Sequence, residues 1–155
     1  MSDTLLPEEC RLSDDARKRL VLEGKRKERG PRFILENPCQ RRLIHYRVDN
    51  CCLKTKACDD LVLIGEVHAY LVERKGSDLA EAIRQIEATL QCLGPMLGGR
   101  KLHARIVLNR VRTPDINSTQ EIELKRRLGE NYRRASGVLT EILPCLLYTS
   151  PSPRD

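Results

Sequence analysis

Tryptophan is absent from this chain of 155 residues, phenylalanine occurs once and tyrosine four times. With 3% aromatics in a hydrophobic content of 40%, a core built on large rings is excluded and a modest aliphatic one is expected. No apolar run approaches the length of about 18 residues that would suggest a membrane-spanning helix. The start, MSDTLLPEEC, is acidic and lacks the apolar segment of a secretory signal. The seven cysteines contain no C-x-x-C pair, which argues against zinc. Without a secreted-type framework they read as reduced thiols in a cytoplasmic protein. There is no internal repeat, no glycine-rich phosphate loop and no Ser-His-Asp order.

Basic residues are plentiful. Lysine and arginine total 28 against 22 acids, a net charge of +6, and the isoelectric point is near 9.1. A surplus of that size suits a polyanion-binding protein without requiring one.

The chain is organised around Lys56 to Thr89. An acid pair, Asp59-Asp60, opens the run LVLI, and Gly65-Glu66 gives a turn. A second strand, Val67 to Lys75, ends in Glu73-Arg74-Lys75. Alternation puts Glu73 and Lys75 on one face and Arg74 on the other. Folding the first strand back beside the second brings the acid at its start next to Glu73. Two carboxylates and an ammonium converging at one end of a hairpin are costly unless a cation joins them. Both faces of the first strand are apolar, so periodicity does not choose between Asp59 and Asp60. Asp78-Leu79-Ala80-Glu81 has the spacing of a capping box. Leu79, Ile83, Ile86, Leu90 and Leu93 then form the apolar stripe of a helix stopped by Gly94-Pro95.

An acid on one strand followed by E-x-K on the next resembles the PD-(D/E)xK nuclease superfamily, above all its small stand-alone members similar to Holliday-junction resolvases. The resemblance covers roughly Leu43 to Arg112. It implies an α/β protein with a restriction-endonuclease-like αβββαβ core, a mixed central sheet flanked by helices. It also implies hydrolysis of phosphodiester bonds dependent on Mg²⁺, with Mn²⁺ as the alternative ion. The related pattern of cysteine, aspartate and an aromatic favours Asp59 over Asp60. Asp59 and Glu73 would bind the ion with the backbone carbonyl of Arg74. Lys75 would orient or deprotonate a water, or offset charge on the phosphate. Gln85 matches a helix glutamine that hydrogen-bonds in related sites, although no tyrosine follows four residues later. The expected partner is nucleic acid, DNA first. Lys54, Lys56, Arg110, Arg112, Lys125 and Arg126 are the candidate phosphate contacts, and a homodimer suits so small a member. A catalytically inactive binding module and an interaction protein from a mobile element are the rival readings.

The rest of the chain is divided accordingly. Residues 1–30 read as a leader: a helix from Asp14 to about Glu23 capped by Ser13, then the basic loop Gly24 to Gly30. Residues 31–144 form one domain. Within it, Phe33 to Asn37 is a short apolar piece, with Glu36 a minor candidate acid, and Leu43 to Val48 is a strand. Lys101 to Arg112 is a strand parallel to a core strand through the capped helix. Ser118 opens a helix closing at Gly129, Asn131 to Ala135 is an edge strand, and Val138 to Leu143 begins a helix. Residues 145–155, CLLYTSPSPRD, look like the translation of a sequencing-library adapter and are set apart from the fold.

Overall fold

The computed structural model describes residues 6–24, 30–76, 78–109 and 119–145, with the side chain of Lys75 outside that description. Among the described residues nine strands and two α-helices follow in the order β1 (Arg11–Asp15), β2 (Arg19–Leu22), β3 (Arg32–Glu36), β4 (Leu43–Arg47), β5 (Asp60–Ile64), β6 (His68–Lys75), α1 (Leu79–Leu93), β7 (Lys101–Leu108), α2 (Thr119–Leu128), β8 (Tyr132–Ser136) and β9 (Val138–Ile142). They build a six-stranded mixed sheet, ordered β1-β4-β5-β6-β7-β8, and a three-stranded sheet, ordered β2-β3-β9. In the larger sheet β1, β4, β5 and β6 pair antiparallel, while β7 and β8 join parallel.

Both faces of the large sheet are covered. One packs Leu61, Leu63, Leu71, Ile106 and Leu108 against Leu79, Ile83, Ile86 and Leu90 of α1. The other packs Val62, Ile64, Val72 and Val107 against Leu20, Leu22, Phe33 and Leu35 of the small sheet. That is why β5 carries no polar face: all five of its residues are buried. Each fully buried aliphatic side chain of this kind contributes about 1.5–3 kcal/mol through removal from water. Helix α1 starts where Asp78 accepts the Glu81 amide at 3.0 Å. Its buried stripe is the one expected from spacing. Gly65 turns β5 into β6 at φ 55°, a left-handed conformation that favours glycine.

Three sequence-based expectations are corrected. The helix foreseen from Asp14 to Glu23 is instead β1 and β2. In β2 Leu20 and Leu22 are buried and Arg19 and Val21 exposed, a period of two, and this strand pairs antiparallel with β3. The charge gradient that resembled a helix dipole serves other ends, including the two hydrogen bonds from Arg42 to Asp14 at 2.8 and 2.7 Å. Val138 to Leu143 begins no helix either. Its first five residues are β9, which pairs parallel with β3. Finally, four of the cysteines expected to be reduced are paired. Cys10 bonds Cys51, and Cys39 bonds Cys145, leaving Cys52, Cys58 and Cys92 free.

Other expectations agree with the fold. Asn131 to Ala135 corresponds to the edge strand β8, and α1 links the parallel pair β6 and β7. Among the described residues no helix is long and apolar enough to cross a membrane.

Candidate active site

The β5–β6 register sets the site. Asp60 lies opposite Val72, so Asp59, one residue before the strand, comes opposite Glu73. Each carboxylate takes an amide from the other's strand: the Asp59 N–H donates to Glu73 Oε1 at 3.1 Å, and the Arg74 N–H donates to Asp59 Oδ2 at 2.9 Å. Glu73 is 2% exposed; Asp59 is half-buried. Burial raises the Asp59 pKa above the usual carboxylate value, the charges of Asp60 and Asp49 push the same way, and the Arg74 amide and guanidinium oppose them.

Asp60 does a different job. It shares its face with Val62 and Ile64, whose side chains lie in the core beneath the small sheet. Its Oδ1 meets His45 Nε2 at 2.8 Å, and its Oδ2 accepts from Arg74 Nε at 3.3 Å and Nη2 at 3.1 Å. Adjacent aspartates thus answer the question that periodicity left open. Asp59 turns to the E-x-K strand end, and Asp60 is spent on an arginine and a histidine.

The middle of α1 is stitched to the segment leading into Asp59. The buried Cys58 N–H donates to Thr89 Oγ1 at 2.9 Å, and that hydroxyl donates to the Gln85 carbonyl at 2.7 Å. Burial pushes the Cys58 thiol well up, away from a reactive thiolate. Gln85, foreseen as either functional or ordinary and partly exposed, is buried, with its Nε2 3.4 Å from Glu81 Oε2. Lys56 reaches the same oxygen at 3.5 Å.

A cavity of about 290 Å³ opens beside these groups, lined by His45, Arg47, Asp49, Asp59, Asp60 and Arg74 among others. Of the other residues singled out from sequence, Lys54 and Lys56 are exposed in the loop before Asp59. Lys125 and Arg126 are exposed in the last turn of α2. Lys75 ends β6, two residues past Glu73. Arg110 and Arg112 lie outside the described residues. His45 and Asp49 were missed by sequence reasoning. The only signal for His45 was a polar residue at an inner position of the alternating run LIHYRV.

Among the described residues no group of three or more histidine, cysteine, aspartate or glutamate side chains is arranged to hold a metal ion. The donors brought together at this strand end are the carboxylates of Asp59 and Glu73. An all-oxygen set of so few protein groups fits a hard cation that keeps most of its water, and does not fit a dehydrated transition-metal cage.

No protein-family model, curated protein or solved structure matches this chain.

A second cavity, of about 450 Å³, lies further along the sheet, near the start of β6 and β7. Tyr70 and His103 stack there with ring centres 4.4 Å apart, the Arg105 guanidinium sits 4.9 Å over the Tyr70 ring, and His68 Nδ1 meets His103 Nε2 at 2.9 Å.

Proposed function

We propose that this protein hydrolyses phosphodiester bonds in nucleic acid, DNA first, with a divalent cation held at Asp59 and Glu73. The observation that carries the reading is the approach of those two acids, joined through the Asp59 amide at 3.1 Å where β6 ends beside its parallel neighbour β7. Ligands of open α/β sheets bind at the carboxyl ends of parallel strands. The run β4, β5, β6, α1, β7 also has the element order of a βββαβ core, which supports the restriction-endonuclease-like assignment. Among the described residues the leading helix of the αβββαβ pattern has no counterpart, and β1 to β3 stand in its place.

Mg²⁺, or Mn²⁺, would polarise the phosphate and lower the pKa of a bound water. Asp59, raised in pKa by burial, would gain most from a cation that offsets the neighbouring negative charge. Arg74 would offer its carbonyl. Lys75 would supply a proton-transfer or charge-offsetting group. Lys54 and Lys56, with Arg110, Arg112, Lys125 and Arg126, would meet phosphates, and a homodimer would extend the contact.

The test is cleavage of labelled single-stranded, duplex, flap and four-way-junction DNA, with matched RNA, in Mg²⁺, Mn²⁺ or EDTA. Metal-dependent cutting that is lost in Lys75→Ala supports the reading. Salt-sensitive binding without cutting by wild type would replace it with a binding module. Neither cutting nor binding would favour an interaction protein.

A further inference from the structure

His45, Asp60 and Arg74 form a hydrogen-bonded chain on the face of the sheet away from α1. Asp60 is 5% exposed and accepts from both partners, His45 through Oδ1 and Arg74 through Oδ2. Arg74 is the joint. Its guanidinium is held by Asp60, while its backbone N–H holds Asp59 Oδ2 at 2.9 Å. It also directly follows Glu73, whose carboxylate accepts the Asp59 amide. Two neighbouring carboxylates are therefore tied to one residue, Asp60 by its side chain and Asp59 by its main chain.

We infer that Asp60 and Arg74 are positioning residues, which hold the Asp59 and Glu73 carboxylates in place for a divalent cation, with His45 fixing Asp60. The inference rests on the metal-dependent reading above. Its physical basis is preorganisation. A carboxylate already aligned by a rigid partner loses less freedom on binding an ion, and outer groups of this kind change metal affinity about 10- to 100-fold when removed. A mere structural ion pair would instead affect folding and leave the affinity of the folded protein alone.

The geometry separates the partners chemically. Asp60→Asn keeps the shape but removes the charge and one acceptor. Arg74→Lys keeps a cation and the backbone N–H but cannot reproduce the Nε and Nη2 pair. His45→Gln offers an amide N–H that can still donate to Oδ1, and so serves as the conservative rescue of His45→Ala.

The experiment is a Mn²⁺ titration of the full chain, with free Mn²⁺ read by electron paramagnetic resonance. Wild type, Asp59→Asn and the four variants are compared, and each is melted in EDTA to confirm folding. Asp60→Asn and Arg74→Lys are expected to bind Mn²⁺ roughly tenfold more weakly while staying folded. His45→Ala should weaken binding, and His45→Gln should recover it. Loss of binding in Asp59→Asn, with folded Asp60→Asn and Arg74→Lys within twofold of wild type, would overturn the positioning role and leave the metal site standing. No Mn²⁺ binding by wild type would overturn both. Should Asp60→Asn fail to fold, Arg74→Lys decides by the same criterion.

Discussion

Asp59 donates its backbone amide to the Glu73 side chain at 3.1 Å, so one acid of the E-x-K motif also completes the hydrogen bonding of the neighbouring strand. Structure and chemistry are separable at this contact. Glu73→Gln keeps an oxygen acceptor for the amide and removes the charge, whereas Glu73→Ala leaves the amide without its acceptor. On the proposed nuclease reading, cleavage by Glu73→Gln is expected to fall about 100-fold with little change in melting temperature. Glu73→Ala is expected to lose the same activity and also about 1–3 kcal/mol of stability. Equal activity in wild type and Glu73→Gln would remove Glu73 from the chemistry.

The centre of the molecule was legible from sequence and its margins were not. Strand β5, strand β6, helix α1 and strand β7 announce themselves because each is bounded by turn or cap chemistry, Gly65, Asp78 and Gly94-Pro95 among it, and carries a dense apolar run or stripe. β1, β2 and β9 carry only a few apolar residues each, and their strand identity comes from pairing with β4 and β3 far along the chain. Local periodicity holds no record of such a partner. The same limit applied to the site. Asp59, Glu73 and Lys75 were readable as a spaced motif, while His45 reaches Asp60 only through the register of β4 on β5. The disulfide between Cys10 and Cys51 joins residues 41 apart, a pairing that cysteine spacing alone does not specify.

That disulfide anchors the segment before β1 to the loop after β4, the loop that leads to Asp59. Cys10 is 2% exposed. Replacing both partners with serine, Cys10→Ser with Cys51→Ser, is expected to cost about 2–4 kcal/mol. Chemical unfolding read by circular dichroism checks it: the denaturation midpoint should fall, and the slope should rise as the unfolded chain loses its constraint. An unchanged midpoint would mean that the pair contributes nothing in solution.

Arg105 and Glu141 couple the two sheets. The Arg105 Nε donates to Glu141 Oε2 at 2.7 Å, with side-chain exposures of 4% and 9%. The guanidinium also reaches the carbonyls of Ala104 and Asn131 at 2.9 and 2.7 Å. Glu141→Ala would strand a buried cation and is expected to destabilise by roughly 3–5 kcal/mol. Replacing both, Arg105→Met with Glu141→Leu, should recover much of that loss, because the desolvation of both charges disappears together. A double variant no more stable than Glu141→Ala would contradict this account.

His103 contributes to the pH dependence of stability. Burial, followed by the charges of Arg105, His68, Lys101 and Arg133, lowers its pKa from 6.5 to about 3. Its Nδ1 is buried with no hydrogen-bond partner among the described residues. In the unfolded chain the same imidazole titrates near the ordinary value of about 6.5. Between those two values the unfolded state binds the extra proton, so stability rises with pH across the window. The contribution of His103 is therefore present above about pH 6.5 and is lost progressively as pH falls toward 3. His103→Gln, which has no titrating ring, should show a shallower loss of melting temperature from pH 7 to pH 4 than wild type. The imidazole carbon-bound protons of His103 should hold constant chemical shifts from pH 8 down to about 5 by nuclear magnetic resonance. A His103 midpoint near 6.5 would show that the stack against Tyr70 is open to water, and the steeper melting profile would then have to come from another group.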